Sequence, residues 1–230
     1  MERNTEVINE EKTIENKIKT LIDGDRIVGF SDAVFAFAAT LLVLKIDLPS
    51  IPANLIESQF LIEFTKLIPQ YLANFLSFLI IAYYWRLHHK LFILIKRYDN
   101  VLIWINTLIL IFVSFLPFPI DLFGEYPNVS IVVGFYSISL ALVGFLILTL
   151  WIYSSWGHRL VDKSLSYQVI KYHTLYVAAA PAIFLLSTPL AYIDHVIAKV
   201  SWVMVIVVIA ILNLVYGSNS FTKRNNPQPE

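Results

Sequence analysis

Long apolar stretches alternate with short polar ones along this chain, and the apolar stretches set its architecture. Six of them have about the length an α-helix needs to cross roughly 30 Å of hydrocarbon at about 1.5 Å per residue. They are Val28–Leu48, Leu67–Trp85, Val101–Ile120, Val129–Tyr153, Gln168–Ile193 and Ser201–Tyr216. Residues 1–24 instead mix acids and bases (Glu2, Glu6, Glu10, Glu11, Lys12, Glu15, Lys17, Lys19), unlike the basic tip and apolar core of a secretory leader. Ile14, Ile18, Leu21 and Ile22 recur at helical spacing there, so residues 1–24 read as an amphipathic or disordered cytoplasmic segment. Residues 25–217 then form a six-helix transmembrane domain. Residues 218–230, with Asn225, Asn226, Pro227, Gln228 and Pro229, read as a disordered cytoplasmic tail. The pattern predicts an all-α integral membrane protein.

Composition agrees with this class. Hydrophobic residues make up 57% of the chain and charged residues 15%, too little polar surface to cover a soluble domain of 230 residues. Mean hydropathy is +0.68. The net charge of zero averages over uneven loops. Fourteen of the seventeen Lys and Arg fall on one side of the predicted membrane, leaving Lys45, Lys66 and Lys199 on the other. The positive-inside rule places both termini of a multi-pass cell-membrane protein in the cytoplasm. Nucleotide-binding Gly-rich loops, Gly-x-Ser-x-Gly and His-Glu-x-x-His are all missing, so neither an enzyme nor a cofactor is expected, and no nucleic-acid partner is implied. There is no Gly-Tyr-Gly filter, no Arg-rich voltage-sensing helix and no internal repeat of the alternating-access kind.

Ionisable groups are rare inside membrane helices because a carboxylate at mid-bilayer costs roughly 2.5–3.5 kcal/mol on insertion scales. The first helix nevertheless opens with Arg26, Ser31 and Asp32. They read either as an interfacial salt bridge anchoring the helix or as a polar latch. Beyond them Ala33, Phe37, Thr40 and Leu44 recur at +4, +3 and +4 and share one face. That stripe reads as ordinary packing, with Thr40 bonded back to the preceding turn, or as a pore wall whose bulky side chains gate by dewetting. The neighbouring stripe of Asp32, Ala36, Ala39 and Val43 is small enough in its middle for close helix approach. His88 and His89 point about 100° apart on a helix and have no carboxylate at ligand spacing, which argues against a metal site. One of them is expected to bond Asp32, Ser31 or Asn106, and the other to face the headgroups. Tyr84 and Trp85 fit an interfacial aromatic belt. Gly134, Ser137, Ala141 and Gly144 form a packing stripe, and Pro181 and Pro189 are expected to kink the fifth helix, with Ser187 or Thr188 satisfying freed backbone groups.

Arg-x-x-x-Phe-Ser-Asp at Arg26–Asp32, continuing through Ala33-Val34-Phe35-Ala36-Phe37-Ala38-Ala39-Thr40-Leu41-Leu42-Val43-Leu44, resembles the first-helix motif of the transmembrane-protein-175 potassium-channel family. Ser77-Phe78, Trp85-x-x-His88-His89, Trp104-x-Asn106, Pro117-Phe118-Pro119 and Gly124-Glu125-Tyr126 extend the resemblance from about residue 26 to 126. One six-helix unit is similar to the bacterial and archaeal branch. The resemblance implies a homotetramer in membrane lipid around a central pore lined by the first helix, passing K⁺ and, less favourably, Na⁺ through that pore. It places the constriction at Phe37, the threonine layer at Thr40 and the outer ring at Leu44. Arg26, Ser31 and Asp32 map to the latch, with His88 or His89 and Asn106 as partners. Two positions depart from the family pattern: Phe37, where the constriction is usually aliphatic, and Lys45 near the outer mouth, where an acid is expected.

The sequence thus points to a potassium-preferring, weakly selective cation channel with a hydrophobic constriction. The alternative is a proton-linked secondary carrier using Asp32 and His88 or His89. A scaffold subunit without transport is a third reading.

Overall fold

The computed structural model describes residues 24–44 and 57–222. Nine α-helices occur among the described residues: α1 (Gly24–Leu44), α2 (Glu57–Lys66), α3 (Ile68–Leu94), α4 (Asn100–Phe115), α5 (Pro117–Glu125), α6 (Ser130–Ser155), α7 (Tyr167–Ile193), α8 (His195–Ser201) and α9 (Met204–Thr222). They assemble into six helical spans long and apolar enough to cross a membrane, matching the six predicted stretches. Lys45 and Asp47 lie outside the described residues, as do nearly all of the predicted amino-terminal segment and most of the predicted tail.

Where boundaries differ, local chemistry explains it. The second span does not end at Trp85 but continues to Leu94, because Leu87, His88, Leu91 and Phe92 are all buried and hold the extra turns against the bundle. The third span breaks at Leu116 where Pro117 starts a new helix, since proline has no N–H to continue the ladder. The sixth begins earlier, as α8, and α9 runs to Thr222, past the boundary expected at Gly217. The fifth remains one helix through Pro181 and Pro189. Its Ser187 and Thr188 hydroxyls both donate to the Phe184 carbonyl, at 2.8 and 3.2 Å, and not to the Leu185 carbonyl that Pro189 leaves free.

The α6 helix forms the centre, and the small stripe along it is a packing face. A methyl added at Gly144 would lie 2.8 Å from Cβ of Pro181, so only glycine admits α7 that closely. Gly134 faces Thr188 and Tyr192 in the last two turns of α7. Tyr84, expected in an interfacial belt, is instead fully buried and donates to the Leu140 carbonyl at 2.9 Å. A buried phenol is held in the bundle when its hydroxyl finds such a partner.

One end of the bundle gathers the basic loops. Ile95 and Val161 form an antiparallel bridge, and the Lys96 and Arg97 amides both donate to the Leu160 carbonyl. Asp99 joins these loops: its carboxylate caps α4 through the Leu102 amide (2.8 Å) and accepts from the Tyr153 hydroxyl (2.7 Å), with Arg159 Nε 3.9 Å away. Partial burial pushes the Asp99 carboxyl up, but the Tyr153 and Leu102 hydrogen bonds and Arg159 outweigh it and hold the pKa below the ordinary 3.8. A carboxyl with a depressed folded-state pKa stabilises the fold above the ordinary value and loses that contribution as pH falls through the depressed one. Thermal midpoints of the wild type should therefore fall more steeply below about pH 4 than those of Asp99→Asn. Parallel profiles would exclude this role. Asp99→Ala should also lose about 1 kcal/mol of capping at neutral pH.

Candidate functional site

The α1 helix has two faces. Ser31, Phe35, Ala38, Ala39 and Leu42 are buried against the bundle. Phe30, Ala33, Phe37, Thr40 and Leu44 are exposed on the opposite stripe, Phe37 at 60% and Leu44 at 79%. All four residues read from the sequence as one face thus share one uncovered face of the folded chain. Phe30 extends it by a turn and was legible in the same +3/+4 spacing. Of the neighbouring small residues only Ala39 is buried; Ala36 and Val43 are exposed.

A large apolar side chain left uncovered once is ordinary, but a whole stripe with a hydroxyl in it marks a surface awaiting lipid, a partner or a pore. Thr40 Oγ1 donates to the Phe37 carbonyl at 2.9 Å. Its one hydrogen is therefore used, and the oxygen turns only acceptor lone pairs outward. Such a group can take the place of a water oxygen around a cation.

The buried face is fixed by a hydrogen-bond chain through three helices. Ser31 Oγ donates to the Ile27 carbonyl (2.8 Å) and accepts from Asn106 Nδ2 (3.0 Å). Asn106 Oδ1 lies 2.7 Å from His88 Nε2. Because the amide nitrogen is committed to Ser31, its oxygen meets the histidine, and Nε2–H is the donor. Ser31 and His88 are fully buried and Asn106 nearly so. Phe92, stacked at 4.4 Å, and Phe35, tilted at 5.5 Å, clamp the imidazole. His88 is thus the histidine that bonds an inward partner. His89 is half-buried, with its ring 6.0 Å from Trp85.

Asp32 stands beside this chain but not in it. Its Oδ1 accepts from Trp85 Nε1 at 2.8 Å. Trp85, expected in the interfacial belt, thus pairs with Asp32; the sequence signal for the pair is a membrane carboxylate in need of a donor. Arg26 lies outside both contacts. It is exposed and, with Phe30, Ile103 and Asn106, borders an open pocket between α1 and α4. Among the described residues no group of three metal-ligating side chains exists.

The family model describing the endosomal/lysosomal potassium channel TMEM175 matches residues 26–117, which contain all but the first two residues of α1, the Ser31–Asn106–His88 chain and Trp85. A potassium channel of Chamaesiphon minutus is 32% identical over 173 residues, covering 74% of this chain and 84% of that protein. The endosomal/lysosomal proton channel TMEM175 of Danio rerio is 34% identical over 111 residues, 46% of this chain but 21% of that protein. Among solved structures, a lysosomal potassium-selective channel TMEM175 homologue from Chamaesiphon minutus superposes with a TM-score of 0.70 at 28% identity. It covers 83% of this chain and 98% of that one.

Proposed function

Since the chain belongs to the TMEM175 family, we propose that it is a homotetrameric ion channel, and not an enzyme, that conducts K⁺ passively through a pore lined by the exposed stripe of α1. The observation that carries this reading is the opposition of faces on α1. The buried face is pinned by Ser31, while Ala33, Phe37, Thr40 and Leu44 are left without cover in a single chain. Four such stripes around an axis make an apolar tube with one ring of hydroxyls. Phe37 forms the constriction, which resists ions by excluding water. The Thr40 oxygens replace part of the ion's hydration and favour K⁺ modestly over Na⁺. The basic end of the bundle, with Lys96, Arg97, Arg159 and Lys163, faces the cytoplasm by the positive-inside rule, which puts both termini there in the cell membrane. Ser31, Asn106 and His88 form the latch that sets the rotation of α1; Asp32 and Trp85 brace it, and Arg26 flanks the pore mouth.

Flux into liposomes driven by a K⁺ and then a Na⁺ gradient tests the proposal. Wild type is expected to pass K⁺ faster than Na⁺, and Thr40→Ala to bring the two closer together. An unchanged K⁺/Na⁺ ratio in Thr40→Ala would remove the hydroxyl ring from the mechanism. The proton-linked carrier built on Asp32 and His88 or His89 has weaker support, because Asp32 and His88 are engaged by different partners. It predicts saturating flux that depends steeply on pH between about 5 and 7.

A further inference from the structure

We propose that the cleft between α3 and α7 at the basic end of the bundle binds the phosphate of an anionic phospholipid. The cleft has a volume of about 220 Å³, and Tyr83, Arg86, Lys90 and Tyr176 line it together with Leu79 and Ala82. Arg86 and Lys90 are spaced i, i+4 and so project from the same side of α3. Lys90 Nζ sits 5.6 Å from the centre of the Tyr176 ring. Arg86 is exposed and, among the described residues, neither cation is paired with a carboxylate. Two neighbouring like charges repel, and an anion between them removes the repulsion.

A second observation comes from Tyr83, whose hydroxyl is buried without a hydrogen-bond partner. An orphaned buried hydroxyl is unfavourable until it finds an acceptor. A phosphate oxygen is an acceptor suited to it. Cleft size decides between a whole ligand and a headgroup: about 220 Å³ is below the roughly 300–1,000 Å³ of pockets for drug-sized molecules. Position decides between free phosphate and lipid. Lys90 lies about 6 Å from the end of α3, at headgroup depth, while Leu79 lies roughly 16 Å further into the span. The apolar wall from Leu79 through Ala82 to Leu87 continues from the cations into the hydrocarbon, where an acyl chain runs. Basic pockets between helices on the cytoplasmic side are suited to such headgroups.

Thermal unfolding of the purified full-length chain in detergent, titrated with short-chain phosphatidylglycerol, phosphatidylcholine or inorganic phosphate, tests this without reference to ion conduction. Phosphatidylglycerol is expected to raise the midpoint, and the other two to leave it unchanged. Arg86→Ala and Lys90→Ala should each weaken the apparent affinity about fivefold; because the two neighbours share one phosphate, their losses should not simply multiply in the double variant. Tyr83→Phe should weaken it as well, while Lys163→Ala, on the adjacent loop outside the cleft, should bind like wild type. Equal losses in Lys163→Ala and Arg86→Ala would reduce the effect to diffuse surface charge. A response to inorganic phosphate matching that to phosphatidylglycerol would reassign the site to free phosphate. An unmoved midpoint with all three would overturn the proposal.

Discussion

Replacing Phe37 with alanine should raise K⁺ flux through reconstituted protein by roughly tenfold or more, because a tenfold change needs only about 1.4 kcal/mol off the barrier. In the proposed tetramer the substitution deletes a ring of four phenyl groups from the narrowest point. Water then enters a segment from which the side chains excluded it, and the ion no longer sheds as much hydration there. The same substitution separates two roles for the rings. Phenyl faces turned to the axis would attract a cation by roughly 0.5–2 kcal/mol, in which case their loss would slow K⁺. Phe37 is uncovered in the single chain, so alanine removes little packing and the fold should survive. Flux measured alongside circular dichroism tests both points. Flux in Phe37→Ala equal to or below wild type would take the constriction off this residue.

The second large effect is expected at Asn106. The Asn106 side chain is the middle of the chain from His88 to Ser31, so Asn106→Leu orphans a buried imidazole N–H and removes the donor to a buried hydroxyl at once. The orphaned His88 N–H costs about 1–3 kcal/mol, while the Ser31 hydroxyl keeps its bond to the Ile27 carbonyl and loses only one partner. Interhelical hydrogen bonds inside membranes average only about 0.6 kcal/mol, since unfolded helices in lipid also find partners. A destabilisation of roughly 2–4 kcal/mol follows from the two figures together, read as a shift in the detergent-unfolding midpoint. Restoring apolar consistency should recover much of it. Asn106→Leu combined with His88→Phe and Ser31→Ala leaves no polar group without a partner, and the triple variant should unfold later than the single one. A single variant as stable as wild type would show that the chain does not hold α1. If the triple variant folds but conducts poorly, the polar chain orients α1 beyond stabilising it.

Much of this molecule was legible in one dimension because the bilayer imposes one-dimensional rules. A span needs about 20 apolar residues whatever its neighbours are, so all six spans could be read from the order of residues alone. The 3.6-residue period likewise put Ala33, Phe37, Thr40 and Leu44 on one face, and the motif from Arg26 to Asp32 was distinctive enough to indicate the family. Contacts between helices obey no such local rule. That His88 reaches Asn106 while His89 does not, and that Trp85 belongs to Asp32, depends on how three spans rotate against one another. The extension of the second span to Leu94 is also tertiary in origin, since buried Leu87, Leu91 and Phe92 hold turns that hydropathy alone assigned to a loop. Helical periodicity determined which residues share a face. Only the packing of the bundle decided which face was buried and which was left open, because burial depends on the neighbours that a helix meets and not on its own order of residues.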